Sequence, residues 1–230
     1  LGLYSQAITF FQRAISLNPN EPSYRLHLAE AYKIIGNKRR AISTMKRLHL
    51  RYPSNPTYTS ELAKLYLDSN LVQSAVSLYE EILLANMEQS TLDVTKLQPF
   101  GWSELNVLCE LYDKQEVWAK GIRTIKRVAR WLLDRADEVW WTEIKDDSEA
   151  KGFNKSRFRN DESKFVLPLD IRCKLLMFRL EMHDEDEALI HAQFLFEADR
   201  DTYPDLIWEA GTRFMNFHKY DTALAFFFML

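Results

Sequence analysis

The chain has 230 residues, of which 47% are hydrophobic, and a formal net charge of −3 at pH 7. This composition can bury a core and excludes a disordered chain, while the small net charge excludes a general attraction to nucleic acid or to a membrane surface. Six glycines and seven prolines leave little room for the many tight turns of a β protein.

The first predicted element is the opening stretch LGLYSQAITFFQRAISLNP, which is patterned like the second helix of a helical hairpin. Its small, aromatic and proline positions are matched by residues 34 and 68 positions later. The three registers are Ala7, Phe11, Ala14 and Pro19, then Ala41, Met45, Leu48 and Pro53, then Ala75, Tyr79, Ile82 and Met87. The 34-residue period is the tetratricopeptide-repeat (TPR) pattern.

The physical reasons for the pattern predict where its residues lie. The alanines are expected at helix crossings, where only a small side chain lets two backbones approach. Gly36 and Asn70 keep the same interval and can adopt the left-handed conformation that ends a helix. The sequence therefore predicts an all-α TPR superhelix of antiparallel helical hairpins, with a long irregular linker between repeats.

Beyond the third register the period is interrupted twice. Residues 1–87 are predicted to hold TPR repeats, the first one half present, and residues 88–100 an insertion. One further repeat is predicted at 101–133, an irregular linker at 134–166, and two divergent repeats at 167–230. In the linker, Trp140 and Trp141 are expected to pack back on the repeats because large aromatic side chains seldom remain free. Both ends break off within helical patterns, so we expect a fragment of a longer protein.

The sequence contains no glycine-rich phosphate loop, C-x-x-C pair or H-E-x-x-H motif, so no catalytic residue, cofactor or metal site is predicted. The histidines, among them His183 and His191, are interpreted as ordinary surface residues. The acidic run at 184–187 is interpreted as the first turn of a helix, where the helix dipole favours carboxylates. Cys109 and Cys173 are expected to be packed thiols, and no apolar run is long enough to span a membrane.

Partner binding is the function that a repeat array without catalytic motifs favours. First helices of TPR hairpins line a concave groove, and its candidate residues are Leu26, Lys64, Asn106 and Trp208. Second helices form most of the convex face. Its candidates are Arg123, Lys126, Arg127 and Arg130, at helical spacing, with Lys46 and Arg47 in the matching positions two repeats earlier. These basic residues predict either a solvated face or a contact with an acidic partner, which could be DNA phosphate or an acidic protein segment.

Two stretches are more individual than a generic repeat, namely WSELNVLCELYDKQEVWAKGIRTIKRVARWL and LPLDIRCKLLMFRL. They resemble the TPR subunit of transcription factor IIIC (TFIIIC), the general factor of RNA polymerase III. The resemblance implies a nuclear, non-enzymatic scaffold that assembles the polymerase III pre-initiation complex at tRNA-type genes. Its implied partners are other TFIIIC subunits, components of factor IIIB and polymerase III, with indirect contact to promoter DNA.

Two alternatives to this function remain open. One is a TPR scaffold of another multisubunit complex, such as a ubiquitin ligase or an RNA-processing assembly. The other is an array that binds nucleic acid directly through its basic convex face.

Overall fold

A computed structural model of the chain describes residues 2–88, 98–139, 141, 147, 167–198 and 201–230. The helices in these ranges are α1 (Gly2–Leu17), α2 (Pro22–Ile34), α3 (Lys38–Arg51), α4 (Pro56–Asp68), α5 (Val72–Met87), α6 (Trp102–Lys114), α7 (Trp118–Leu132), α8 (Leu169–Glu181), α9 (Glu185–Phe196), α10 (Pro204–Asn216) and α11 (Tyr220–Phe227). Every regular element of the described residues is thus a helix, which confirms the predicted all-α fold. None of these helices is long and apolar enough to cross a membrane.

Local sequence signals explain where the helices begin and end. Asn55 accepts a hydrogen bond from the Thr57 amide and caps α4, whose first residue is a proline, a position that lacks a helical N–H partner anyway. Gly36 and Asn70 follow α2 and α4 with φ angles of 81° and 58°. The left-handed conformation predicted for these two residues is therefore confirmed.

The contacts group the chain into two compact units, Leu1–Phe100 and Gly101–Leu230. In the first unit, α2 packs on α1 and α3, and α4 packs on α3 and α5. Ala41 and Ala75 are fully buried, as predicted for residues at helix crossings. The side chains of Tyr32 and Tyr79 are buried in the same unit.

In the second unit, α8 contacts α6, α7, α9 and α10. The close approach of α8 to α7 depends on Gly121, since a Cβ atom there would lie 2.3 Å from the ring of the fully buried Phe178 of α8. The core continues through α9 to α11, where Ala188, Phe214 and Ala223 are fully buried. The last hairpin buries Phe226 and leaves Phe227 half-buried.

The predicted division into repeats, insertion and linker stays a prediction, because most of both irregular stretches lies outside the described residues. Gln98, near the end of the predicted insertion, is described and almost fully buried. Its side-chain oxygen accepts a hydrogen bond from Thr59 of α4, and its carbonyl accepts one from Asn86 of α5 at 2.9 Å. These bonds join the end of the insertion to the helices before it.

Candidate partner-binding surfaces

The basic residues of α7 do not form one exposed stripe. Arg123 and Arg127 are exposed, but Lys126 and Arg130 retain only 1% and 8% of their accessible surface. The prediction that all four point outward is therefore wrong for two of them. The reason is that two described residues after α7 contact these side chains, Asp147 at Lys126 and Ala136 at Arg130.

Lys126 is covered by Asp147, which lies inside the predicted linker. The Lys126 Nζ atom is 2.7 Å from Asp147 Oδ1. Arg179 of α8 donates to both carboxylate oxygens, from Nε to Oδ2 at 2.7 Å and from Nη2 to Oδ1 at 2.6 Å. His191 of α9 places Nε2 3.1 Å from Oδ2. We call these four residues the Asp147 cluster; it connects the linker to three helices.

The electrostatics of the Asp147 cluster favour an ionised carboxylate. Burial by itself would raise the pKa of Asp147. The hydrogen bonds from His191 and Arg179 and the charge of Lys126 outweigh burial and hold the pKa well below its usual range. A buried carboxylate with two cationic partners is stabilised in its charged form.

The Asp147 cluster also tests the prediction that the chain has no metal site. Asp147, Glu187 and His191 place possible ligand atoms within 4.8 Å of one another. However, Lys126 and Arg179 already contact the Asp147 carboxylate, so a divalent cation would meet two like charges. The arrangement supports an internal ion cluster. His191 is almost fully buried, which corrects its interpretation as a surface residue.

Arg130 and Trp141 are fixed by the beginning of the same linker. Arg130 donates from Nη1 to the carbonyl of Ala136 at 3.0 Å. The guanidinium of Arg135 lies 5.2 Å from the centre of the Trp141 ring, within the range of cation–π contacts. Trp141 is fully buried, as expected for a large aromatic side chain, and its packing on the repeats stays a prediction. Trp140 lies outside the described residues.

In the second unit, ion pairs join α6, α8 and α10, the first helix of each hairpin. Lys174 of α8 lies 3.2 Å from Glu209 of α10 and 3.7 Å from Glu110 of α6. Burial lowers the pKa of Lys174, but these two carboxylates outweigh it and raise the pKa above its ordinary value. Arg213 of α10 pairs with Asp113 of α6 at 2.7 Å and also contacts Glu181 of α8. These charges therefore hold neighbouring repeats together.

The groove candidates have different surroundings. Trp208 is 60% exposed, with its ring 5.3 Å from that of Phe227. Asn106 is half-buried, and its side-chain oxygen has no hydrogen-bond partner among the described residues. In the first unit, Leu26 is half-buried and the exposed Lys64 pairs with Glu61 at 2.7 Å. Two of the four candidates lie in the first unit and two in the second, and their role in partner binding stays a prediction.

The second helix of the first full repeat keeps its predicted basic surface. Lys46 and Arg47 of α3 are both exposed, as expected for the convex face.

The two cysteines are fully buried, and burial raises the pKa of Cys173 to about 12 and that of Cys109 further. A thiol in such an environment is a packing group and a poor nucleophile.

Similarity to known proteins also indicates a repeat protein. A tetratricopeptide-repeat family model matches residues 1–21. The transcription factor tau 131 kDa subunit of Saccharomyces cerevisiae is 31% identical over 96% of this chain and 27% of its own length. The chain is homologous to the TPR-containing subunit of TFIIIC. The transcription factor tau subunit sfc4 of Schizosaccharomyces pombe is 25% identical over all of this chain and 24% of its own length.

The chain thus spans about a quarter of the length of both relatives. A solved structure of kinesin light chain-like TPR repeats from Podospora anserina superposes with a TM-score of 0.50 at 14% identity. That match covers 91% of this chain and 94% of the other. At this identity the likeness concerns the fold alone, and it confirms the TPR class.

Proposed function

We propose that this chain is part of a non-enzymatic, nuclear scaffold subunit of TFIIIC. In this role it assembles the polymerase III pre-initiation complex at tRNA-type genes through protein–protein contacts, including recruitment of factor IIIB. The observation that carries the proposal is the 31% identity with a transcription factor tau subunit over 96% of the chain. The proposed partners are other TFIIIC subunits, factor IIIB components and polymerase III, and promoter DNA is contacted indirectly.

The exposed arginines of α7 support a protein contact at the convex face. Arg123 and Arg127 are one helical turn apart and exposed, whereas the two buried cations beside them are engaged by the linker. Exposed charges steer and orient an oppositely charged partner more than they strengthen the final complex. This pair therefore replaces the four-residue stripe as the candidate contact of the second unit.

The finer part of the proposal is tested with Arg123→Glu/Arg127→Glu in the full-length protein. The amount of factor IIIB components retained on purified TFIIIC is measured as a function of salt. We expect retention to fall several-fold at low salt. A single exposed ion pair contributes about 0–1 kcal/mol, so reversing the charge of both arginines gives an effect large enough to measure. Melting should stay unchanged, since both side chains point away from the core.

The control is Arg123→Lys/Arg127→Lys, which keeps the charge and should keep retention near that of the parent. If reversal leaves retention unchanged at low salt, the arginine pair belongs to a solvated face and the contact lies elsewhere.

Direct nucleic-acid binding is the second candidate function, favoured by the charge of one segment. Residues 33–51 carry seven Lys and Arg and no acid. If this surface binds DNA, the affinity of the full-length protein for a short duplex should fall steeply as salt rises, because phosphate contacts release counterions. A weak affinity with a shallow salt dependence would exclude this function.

A further inference from the structure

A cavity of about 480 Å³ opens between α1, α2 and α3 of the first unit. Three arginines line it: Arg25 from α2, and Arg47 and Arg51 from α3. Within the described part of the chain none of the three forms an ion pair with a carboxylate. The cavity therefore concentrates positive charge that the surrounding structure does not neutralise.

Two of these arginines are held in place by neutral groups. Arg25 donates from Nη1 to the carbonyl of Pro19, and Arg51 donates from Nη2 to the side-chain oxygen of Asn20. Both acceptors belong to the connection between α1 and α2. A guanidinium has five N–H donors and keeps its full charge when it bonds to a neutral oxygen. Each arginine is thus oriented in advance and retains donors for a ligand, which lowers the entropic cost of binding.

The remaining wall combines an apolar surface with a hydroxyl group. The Tyr32 hydroxyl accepts a hydrogen bond from Gln12 Nε2 at 2.9 Å, so its own proton is available to a second acceptor. Leu28 lies on the same side of the cavity and is largely buried. Several donors beside an apolar wall suit a carboxylate that is carried on a short aliphatic stem.

We propose that this cavity binds an acidic segment of a partner protein, with an Asp or Glu carboxylate held by Arg25, Arg47 and Arg51. Guanidinium groups match carboxylates in geometry and bind them through paired, charge-assisted hydrogen bonds. A recess between helices admits an extended side chain, whereas the phosphates of a DNA duplex lie on the outside of a broad cylinder. The inference deepens the proposed function and rests on it, because the acidic segment belongs to a protein that the scaffold holds.

The test measures fluorescence anisotropy of the full-length protein with a short labelled peptide in which Glu alternates with Leu. A second peptide carries Gln at every Glu position. The cavity variant is Arg25→Gln/Arg47→Gln/Arg51→Gln. The control variant is Arg13→Gln/Lys38→Gln/Arg39→Gln, which removes the same charge from exposed positions of the same unit that do not line the cavity.

The parent should prefer the Glu peptide over the Gln peptide, and the cavity variant should bind it about tenfold more weakly or worse. The control variant should stay within about twofold of the parent. Because Arg25 and Arg51 also hold a loop, Arg47→Gln alone serves as a second variant. It should weaken the peptide several-fold with unchanged melting.

Equal affinity for the two peptides, or equal losses in the cavity and control variants, would overturn the proposal. So would tighter binding of a short DNA duplex that the cavity variant abolishes, since the cavity would then serve nucleic acid. Co-purification of TFIIIC subunits with the cavity variant, when the peptide does not bind the parent, would remove this inference and leave the proposed function standing. Peptide binding by the parent without co-purification of TFIIIC subunits would support the cavity as a site for acidic peptides and would contradict the proposed function.

Discussion

At the scale of single residues, the buried carboxylate of Asp147 contacts residues of three helices. Its side chain comes from the predicted linker and meets cations on α7 and α8 and a histidine on α9. A buried ion cluster of this kind is costly to break, because removing one partner leaves another buried charge without compensation. The carboxylate therefore holds residue 147 against α7, α8 and α9.

Asp147→Asn tests this role, since it keeps the shape of the side chain and removes its charge. At neutral pH we expect the free energy of unfolding to fall by about 3–5 kcal/mol, because Lys126 and Arg179 lose their shared counter-charge. The native-state pKa of Asp147 is depressed, so its contribution is complete above the ordinary carboxyl pKa of about 3.9. The contribution is lost as pH falls through the native-state value. Urea unfolding at neutral pH and at about pH 3 measures both effects.

The matched control for Asp147→Asn is Asp186→Asn. Asp186 is an exposed acid in the first turn of α9, and its neutralisation should cost at most about 1 kcal/mol. The gap in stability between parent and Asp147→Asn should narrow at the acidic pH. A gap that stays constant, or a loss no larger than that of the control, would show that the cluster does not stabilise the fold.

Sequence alone could not reveal the Asp147 cluster. The spacing of Arg123, Lys126, Arg127 and Arg130 is that of one helix face, and a helix face of this composition usually meets solvent. The contact that buries Lys126 comes from a residue 21 positions later, in a stretch with no periodicity. Ion pairs across irregular connections leave no local pattern, and His191 contacts the same carboxylate.

At the scale of helices and connections, the hairpins were predictable from residue type. Small residues at Ala41 and Ala75 mark the crossings, and the left-handed Gly36 and Asn70 mark helix ends. Both features recur at the interval set by the repeat, so each register supports the others. The partner of a crossing residue is less predictable. Gly121 of α7, for example, lies against Phe178 of α8, on the other side of the linker in the sequence.

Gly121→Ala tests whether this approach of α7 and α8 is as close as the structure shows. The new methyl group would meet the Phe178 ring, which is fully buried and has little space to move. We expect the free energy of unfolding to fall by about 1–3 kcal/mol, even though Ala favours a helix over Gly by about 1 kcal/mol. Denaturant midpoints of the parent and the variant give this difference.

Two further variants make the test of Gly121 specific. In a Phe178→Leu background the cost of Gly121→Ala should be smaller, because directly contacting residues do not act additively. Gly2→Ala is the control, since no atom lies within 4 Å of a Cβ added at that helical glycine, and it should cause no loss. If Gly121→Ala is as stable as the parent, the two helices are further apart than described.

At the scale of the whole molecule, the two units offer different surfaces. The first unit carries the basic stretch of α3 and the arginine-lined cavity. In the second unit, ion pairs join α6, α8 and α10, and its exposed arginine pair lies on α7. Homology with a transcription factor tau subunit covers both units. The proposed scaffold, in which each unit contacts a different protein surface, accounts for this distribution of charge.

The central claim, a scaffold role within TFIIIC, is tested most directly by affinity purification of the full-length protein from nuclei. Co-purifying proteins are identified by mass spectrometry, with an untagged strain as control. The account predicts that the other TFIIIC subunits are recovered in comparable amounts and that factor IIIB components are enriched at low salt. Recovery of ubiquitin-ligase or RNA-processing subunits, with TFIIIC subunits absent, would contradict it.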